Sequence, residues 1–188
     1  MRSGIRRSGN RLPGATGSPR VGAGRSRVGP GLYPSGVELA SSLERGVGIV
    51  EEGPLALDEA LSRLATLGAR TLGVGIRELH EALRMRERIR PTALPGGVAV
   101  PHAIIRGLPH TLVIPMLVRQ GVRFEPLEPP STVIIGLFGD AAQPWHHVKI
   151  LARLAKIVHD QGALAHIRAA TDASDLVLRL MERDAVHA

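Results

Sequence analysis

Two long apolar runs, neither broken by regularly spaced polar residues, constrain the fold of this chain most. Residues 132–138 read Thr-Val-Ile-Ile-Gly-Leu-Phe, and residues 111–118 read Thr-Leu-Val-Ile-Pro-Met-Leu-Val. A strand with one face in water alternates apolar and polar residues, whereas a continuous run is typical of a buried strand. Gly139 and Asp140 end the first run, and Pro115 interrupts the second, which indicates an edge strand or a bulge. The chain therefore predicts buried strands in the sheet of a layered domain.

Apolar residues at helical spacing lie on both sides of these runs along the chain. Leucines from Leu57 to Leu67 mark a first helix, which opens at Asp58 and is predicted to stop at Gly68. The other predicted helices are Ile76 to about Ile89, Pro144 to about Asp160, Ala163 to Ala169 and Asp172 to Arg183. Further predictions are short strands over residues 98–100 and 122–124 and a loop over residues 103–110. Helices around several apolar strands predict an α/β fold, a single layered domain with a mixed central sheet flanked by helices.

The first 39 residues differ in composition from the rest of the chain. They are rich in Gly, Ser, Pro and Arg and show no hydrophobic periodicity. Such a segment cannot bury enough apolar surface to offset the conformational entropy of an ordered chain. We therefore predict a disordered basic tail over residues 1–39 and a folded domain over residues 40–184.

Charge and composition exclude several classes of function. Residues 1–45 contain eight Arg and two Glu, a balance of +6 within a formal net charge of +7. The rest is nearly neutral and poor in aromatic residues, which argues against nucleic acid as a partner of the folded part. The chain has no cysteine, which excludes disulfides, cysteine nucleophiles and thiolate metal sites. No apolar run approaches the roughly 20 residues of a membrane-spanning helix, and we expect a cytoplasmic protein.

The stretch from Gly96 to His102 is the strongest candidate for a reactive site. Gly96 and Gly97 mark a turn, the next three residues favour a strand, and Pro101 has a fixed φ and no N–H. His102 is therefore expected where a strand ends, on stiff backbone that presents its ring outwards. Because histidine titrates near neutral pH and has many uses, a structural surface histidine stays open on this stretch alone.

Three segments in order extend the pattern. They are Leu83-Arg84-Met85-Arg86-Glu87, then Pro91 to His102, and later His147-Val148-Lys149-Ile150-Leu151, which opens a helix rich in Leu and Ala. Together they resemble the type-2 IIA domain of the phosphoenolpyruvate-dependent sugar phosphotransferase system, the family of fructose, mannitol and nitrogen-regulatory IIA domains. The resemblance covers roughly Leu43 to Glu182.

This resemblance implies a phosphotransferase component. His102 would accept a phosphoryl group from a histidine phosphocarrier protein (HPr-like) and pass it to a IIB domain, or use it as a regulatory switch. The resemblance also places Arg86 and His147 in the site, with Thr92 as a further site residue, and implies no cofactor and no metal. The chemistry fits, since a neutral imidazole can attack phosphorus and an arginine fork can bind phosphoryl oxygens. Backbone N–H groups in the helical turn at His147 are expected to add positive potential.

Three alternatives stay open on the sequence. His146 adjoins His147, so either residue could be the second site histidine. A zinc site could be built from four histidines, His102, His110, His146 and His147. Adjacent histidines, however, lack the spacing that puts two ligands on one helix face. The chain could also be a regulatory binding module on the same fold that works without phosphorylation.

Overall fold

The computed structural model describes residues 39–44, 46–125 and 129–187. The tail predicted for residues 1–39 thus lies, apart from Leu39, outside the described residues. A 3₁₀ turn, Leu39–Ser42, comes first. The strands of the described residues are β1 (Ile49–Glu51), β2 (Ala93–Leu94), β3 (Val98–Ala99), β4 (His102–Ile105), β5 (Leu112–Val122) and β6 (Ser131–Asp140). The helices are α1 (Leu57–Leu72), α2 (Ile76–Ile89), α3 (Pro144–His159), α4 (Gln161–Arg168) and α5 (Ala173–Val186).

The strands form one mixed sheet, as predicted. Among the described residues it has six strands in the order β1-β5-β6-β3-β2, and β4 also pairs with β6. Strand β6 runs antiparallel to β5 and parallel to both β3 and β4. Strand β1 is parallel to β5, and β2 and β3 form a short antiparallel hairpin.

Helices cover both faces of this sheet, which explains the long apolar runs in its two central strands, β5 and β6. In β6, Val133, Ile135 and Leu137 pack into a core with α3, α4 and α5. Alternate residues of the same strand, Ile134 and Phe138, pack into a second core with α1 and α2. Because successive side chains of a strand point to opposite faces, a strand between two helical layers needs apolar residues at every position. The predicted α/β layered fold is confirmed.

Helix α1 continues past the residue at which it was predicted to stop. Gly68 lies inside the helix, and a Cβ atom there would come within 2.8 Å of Cε2 of Phe138. The glycine therefore allows α1 to pack closely on the sheet. The helix ends at Gly73, whose φ of 69° is left-handed and whose N–H donates to the Ala69 carbonyl, as in many helix C-termini.

Strand β5 is not an edge strand, so that part of the prediction from Pro115 was wrong, whereas the alternative, a bulge, corresponds to an irregularity later in the strand. It lies between β1 and β6, and Pro115 faces Ile135 of β6. Pairing with β1 begins only at Met116, one residue after the proline, so the proline precedes that ladder. The irregularity in register lies later, between Leu117 and Val122. Val122 ends β5, which also corrects the separate strand predicted over residues 122–124.

The loop predicted over residues 103–110 is also corrected, because His102 begins a strand. Strand β4 pairs in parallel with β6, with His102 opposite Leu137. Strands β3 and β4 lie along the same side of β6 and are separated by Val100 and Pro101. The Pro101 carbonyl still accepts a hydrogen bond from the Leu137 N–H, at 3.0 Å. The proline thus interrupts the strand without leading the chain away from the sheet.

Candidate functional site

His102 lies between the two helical layers, where α2 and α3 both approach strand β4. Its Nδ1 is 2.8 Å from the Val100 carbonyl oxygen. A carbonyl oxygen can only accept a hydrogen bond, so Nδ1 carries the proton of the neutral ring. The other nitrogen, Nε2, accepts a hydrogen bond from Nε–H of Arg86 at 3.0 Å. The backbone therefore fixes the tautomer whose lone pair is on Nε2, and a cation lies directly beside that lone pair.

Arg86 reaches His102 from the last turn of α2. Leu79 and Leu83 are buried in the core with α1, and Arg86 continues the same stripe of the helix, three residues after Leu83, where it meets His102 of β4. Its Nη1 donates to the carbonyl oxygen of Arg90, just beyond the helix, at 2.7 Å. The guanidinium is thus anchored to backbone on one side and contacts Nε2 of His102 on the other.

His147 approaches His102 from the first turn of α3. The two ring centroids are 5.5 Å apart, and the ring planes are inclined at 51°. Only 2% of His147 is exposed, and neither ring nitrogen has a hydrogen-bond partner among the described residues. The ring lies against the backbone of Gly139, so closely that a Cβ atom at that position would overlap it. Both ring nitrogens of His147 are therefore buried without a partner among the described residues, and Nδ1 is the one that faces Gly139.

Burial favours the neutral form of both imidazoles. Burial lowers the pKa of His147 to about 4, with smaller contributions from His102 and His146. Burial also lowers the pKa of His102, and the Arg86 charge adds to this, against the opposing effect of the Val100 carbonyl. A lowered pKa favours the neutral ring of His102, which keeps a lone pair for attack.

Thr92 belongs to the site but does not touch the His102 ring nitrogens. It is buried, and both its N–H and its hydroxyl donate to the carboxylate of Glu87, each at 2.7 Å. Glu87 lies in a segment that carries the family resemblance, but the sequence alone assigned this residue no role in the site. The signal was present, because Leu79, Leu83 and Glu87 recur every four residues and a charge therefore lies on the buried face of α2.

Of the four histidines of the alternative zinc site, the structure brings only His102 and His147 together. His146 points away from His102, and its Nε2 is 3.4 Å from the Ser42 hydroxyl. His110 is exposed and pairs with Glu44 at 3.0 Å. Across residues 39–44, 46–125 and 129–187, no group of three or more His, Cys, Asp or Glu side chains is placed to hold a metal ion. Of the two adjacent histidines, His147 is therefore the one beside His102.

The opening turn of α3 offers fewer backbone donors than the sequence suggested. Pro144 has no N–H, and the N–H groups of His146 and His147 both donate to the Gln143 carbonyl. Any anion at this site would therefore be bound by side chains more than by the helix terminus.

Two open cavities adjoin the His102 ring. One, of about 510 Å³, is lined by Arg86, His147 and apolar residues that include Ile89 and Ile104. The other, of about 290 Å³, lies on the Thr92 side of the ring. Ile89 is 79% exposed and Ile104 is 51% exposed, so the opening has an apolar rim.

In the described part of the chain, no helix is both long and apolar enough to cross a bilayer.

Comparisons with known proteins agree with this architecture. Residues 56–182 match the family described as "Phosphoenolpyruvate-dependent sugar phosphotransferase system, EIIA 2". A nitrogen regulatory protein of Bradyrhizobium diazoefficiens is 30% identical over 116 residues, covering 61% of this chain and 76% of that protein.

Solved structures with the same fold include two similar proteins. The nitrogen regulatory protein IIA-Ntr of Neisseria meningitidis has a TM-score of 0.68 at 20% identity, covering 76% of this chain and 98% of that one. In the complex of mannitol IIA with phosphorylated mannitol IIB from Escherichia coli, the matching chain has a TM-score of 0.62 at 18% identity, with 74% and 99% covered. At this level of identity the structural likeness shows a shared fold.

Proposed function

Because the chain belongs to the EIIA 2 family of the phosphoenolpyruvate-dependent sugar phosphotransferase system, we propose that it is a cytoplasmic phosphocarrier that accepts a phosphoryl group on His102. The donor is an HPr-like phosphocarrier protein, and the acceptor is a IIB domain or a regulatory target. One observation carries the proposal. The Val100 carbonyl holds the proton on Nδ1, so the lone pair of a neutral ring is on Nε2, next to the Arg86 guanidinium.

The reaction moves a phosphoryl group between two imidazoles. The Nε2 lone pair of His102 forms a bond to phosphorus while the N–P bond of the donor's phosphohistidine breaks, and that electron pair returns to the donor ring. Because Nδ1 keeps its proton, the His102 ring becomes positively charged as the new bond forms. The Val100 carbonyl stabilises that charge through its hydrogen bond. The same charge makes the ring a good leaving group for onward transfer.

Arg86 and His147 act on the phosphoryl oxygens. In the resting site Arg86 donates to Nε2, so its guanidinium turns from the lone pair to the incoming oxygens as the donor binds. Arginine suits this role because its planar group stays charged and presents several N–H donors. His147 is neutral and has no partner among the described residues, so its ring can supply one more N–H to the same oxygens. Geometry and charge thus do most of the work, as is usual for phosphoryl transfer.

A protein partner fits the surroundings of His102. Ile89 and Ile104 rim the cavity beside the ring, and on α3 Trp145 is 77% exposed. Exposed apolar side chains that surround a polar centre are typical of surfaces that bind proteins. The mannitol IIA structure in complex with phosphorylated IIB supports a IIB domain as one such partner.

Phosphorylation assays with single-residue variants test this function. The full chain is incubated with phosphoenolpyruvate and the general phosphotransferase proteins, and acid-labile, base-stable phosphate is measured. We expect labelling of the wild type, none in His102→Ala, and slower labelling in His147→Ala. His110→Ala is the matched control, because this histidine is exposed and paired with Glu44, and it is expected to label normally. No labelling of the wild type, beside a labelled IIA domain run in parallel, would contradict the proposal.

A second function has its own support, because the curated relative is a nitrogen regulatory protein. In that case the chain binds and controls a target, independently of phosphate or with phosphate as the switch. A phosphoryl group at His102 would add negative charge within the apolar rim and so change which partners bind. Co-purification with His102→Ala and with the phosphorylated wild type distinguishes the two cases. A target captured equally by both proteins indicates a module that works without phosphate.

A further inference from the structure

We propose that Glu87 is a positioning residue that keeps the proton of His102 on Nδ1, an inference that rests on the proposed phosphoryl transfer. Glu87 is only 7% exposed, which is unusual for a carboxylate. Both of its oxygens are engaged by Thr92, one by the backbone N–H and the other by the hydroxyl. A buried carboxylate is costly without such donors, so this pair fixes Thr92 firmly against the end of α2.

A continuous chain of hydrogen bonds leads from Thr92 to the reactive ring. The Thr92 carbonyl accepts from the Val100 N–H at 3.1 Å, next to the β2–β3 pairing. The Val100 carbonyl in turn accepts from Nδ1–H of His102 at 2.8 Å. The position of Thr92 therefore holds the backbone of Val100, and the carbonyl of that residue, together with the Arg86 donor at Nε2, keeps the proton on Nδ1.

Consecutive residues of one helical turn thus act on the two nitrogens of His102. Arg86 contacts Nε2 directly, and Glu87 acts on Nδ1 through Thr92 and Val100. Because both residues belong to the last turn of α2, their spacing is fixed by helix geometry. Glu87 does not touch the reacting atoms, so its contribution comes from holding the backbone in place.

This role differs from a purely electrostatic one in its response to two substitutions. Glu87→Gln loses the charge, but its amide can accept from the Thr92 N–H and donate to the Thr92 hydroxyl, so both contacts with Thr92 are kept. Glu87→Asp keeps the charge, but a side chain shorter by one methylene cannot reach both groups. Positioning therefore predicts that Gln is the better replacement, whereas an effect of charge predicts Asp.

The direct readout is the protonation of the two ring nitrogens, measured by long-range ¹H–¹⁵N NMR of the unphosphorylated full chain. We expect wild type and Glu87→Gln to hold the proton on Nδ1, and Glu87→Asp and Thr92→Val to show mixed tautomers. Initial phosphorylation rates are expected to follow the same order, with a loss of about 10- to 100-fold in Glu87→Asp. Glu81→Ala is the matched control, an exposed carboxylate on the same helix, and should change neither measurement.

The outcomes separate this inference from the function on which it rests. Mixed tautomers in Glu87→Asp with one tautomer in Glu87→Gln support the positioning role of Glu87, even if no donor phosphorylates the wild type. An Nδ1–H tautomer unchanged in both Glu87→Asp and Thr92→Val overturns it, even if the wild type is phosphorylated. A Gln variant impaired more than the Asp variant also overturns it, because the charge would then matter more than the geometry.

Discussion

Acidification is expected to destabilise the fold through the buried ring of His147. An unfolded histidine titrates near 6.5, whereas burial lowers the pKa of His147 to about 4 in the folded chain. Between these values the unfolded chain binds a proton that the folded chain does not. The free energy of unfolding therefore falls as pH falls through this window, and the full difference is reached below the folded pKa. At one pKa unit per 1.36 kcal/mol, the loss at this site is about 2.5 kcal/mol at pH 4.5.

The assay compares urea unfolding of the wild type and of His147→Gln, each at pH 7 and at pH 4.5. The variant cannot ionise at this position, so the wild type is expected to lose about 2.5 kcal/mol more than the variant on acidification. Histidines paired with carboxylates, such as His166 with Glu182 and His187 with Asp160, are present in both proteins and cancel in the difference. An equal loss in both proteins would refute the reasoning, because it would mean that the His147 ring accepts a proton freely in the folded chain.

Two further substitutions test the geometry of the site. Gly139→Ala puts a Cβ atom into the His147 ring and is expected to cost about 1–3 kcal/mol of stability, as overpacking does. His147→Ala should relieve this cost, so the double-mutant cycle from urea unfolding is expected to be non-additive, and an additive result would argue against the contact. Arg86→Lys keeps the charge but loses the planar fork, and about tenfold slower phosphorylation with an unchanged unfolding midpoint is expected. A rate equal to that of the wild type would show that phosphoryl transfer does not need the planar guanidinium of Arg86.

The parts of the fold that sequence could predict are those that local pattern determines. Residues 133–138 carry no polar side chain, and the structure shows why, since helices cover both faces of β6. The last helix was predicted to open at Asp172, and the Asp172 carboxylate caps it by accepting from the N–H groups of Ser174 and Asp175. These features depend on neighbours a few residues away, which the sequence displays directly.

The predictions that were wrong or incomplete concern features that depend on contacts between residues that are not sequence neighbours. Strand β4 is only four residues long, and pairing with β6 determines that it is a strand. In the sequence, Gly68 resembles a helix stop. Only the close approach of Phe138 in the structure explains why a glycine lies inside α1. In the sequence, Glu87 is one charge among several in an arginine-rich segment. Its contacts with Thr92 are visible only in the folded chain. Local composition cannot distinguish these cases, because the deciding partner is remote in sequence or is reached through a turn.

The most direct test of the account is to identify the atom that carries the phosphate. Uniformly ¹⁵N-labelled full-length chain is phosphorylated by its donor, and NMR then identifies the phosphorylated residue and the ring nitrogen bonded to phosphorus. The account predicts a single phosphohistidine at His102, with phosphorus on Nε2 and the proton retained on Nδ1. Phosphorus on Nδ1, or on the ring of His110, His146 or His147, would contradict it.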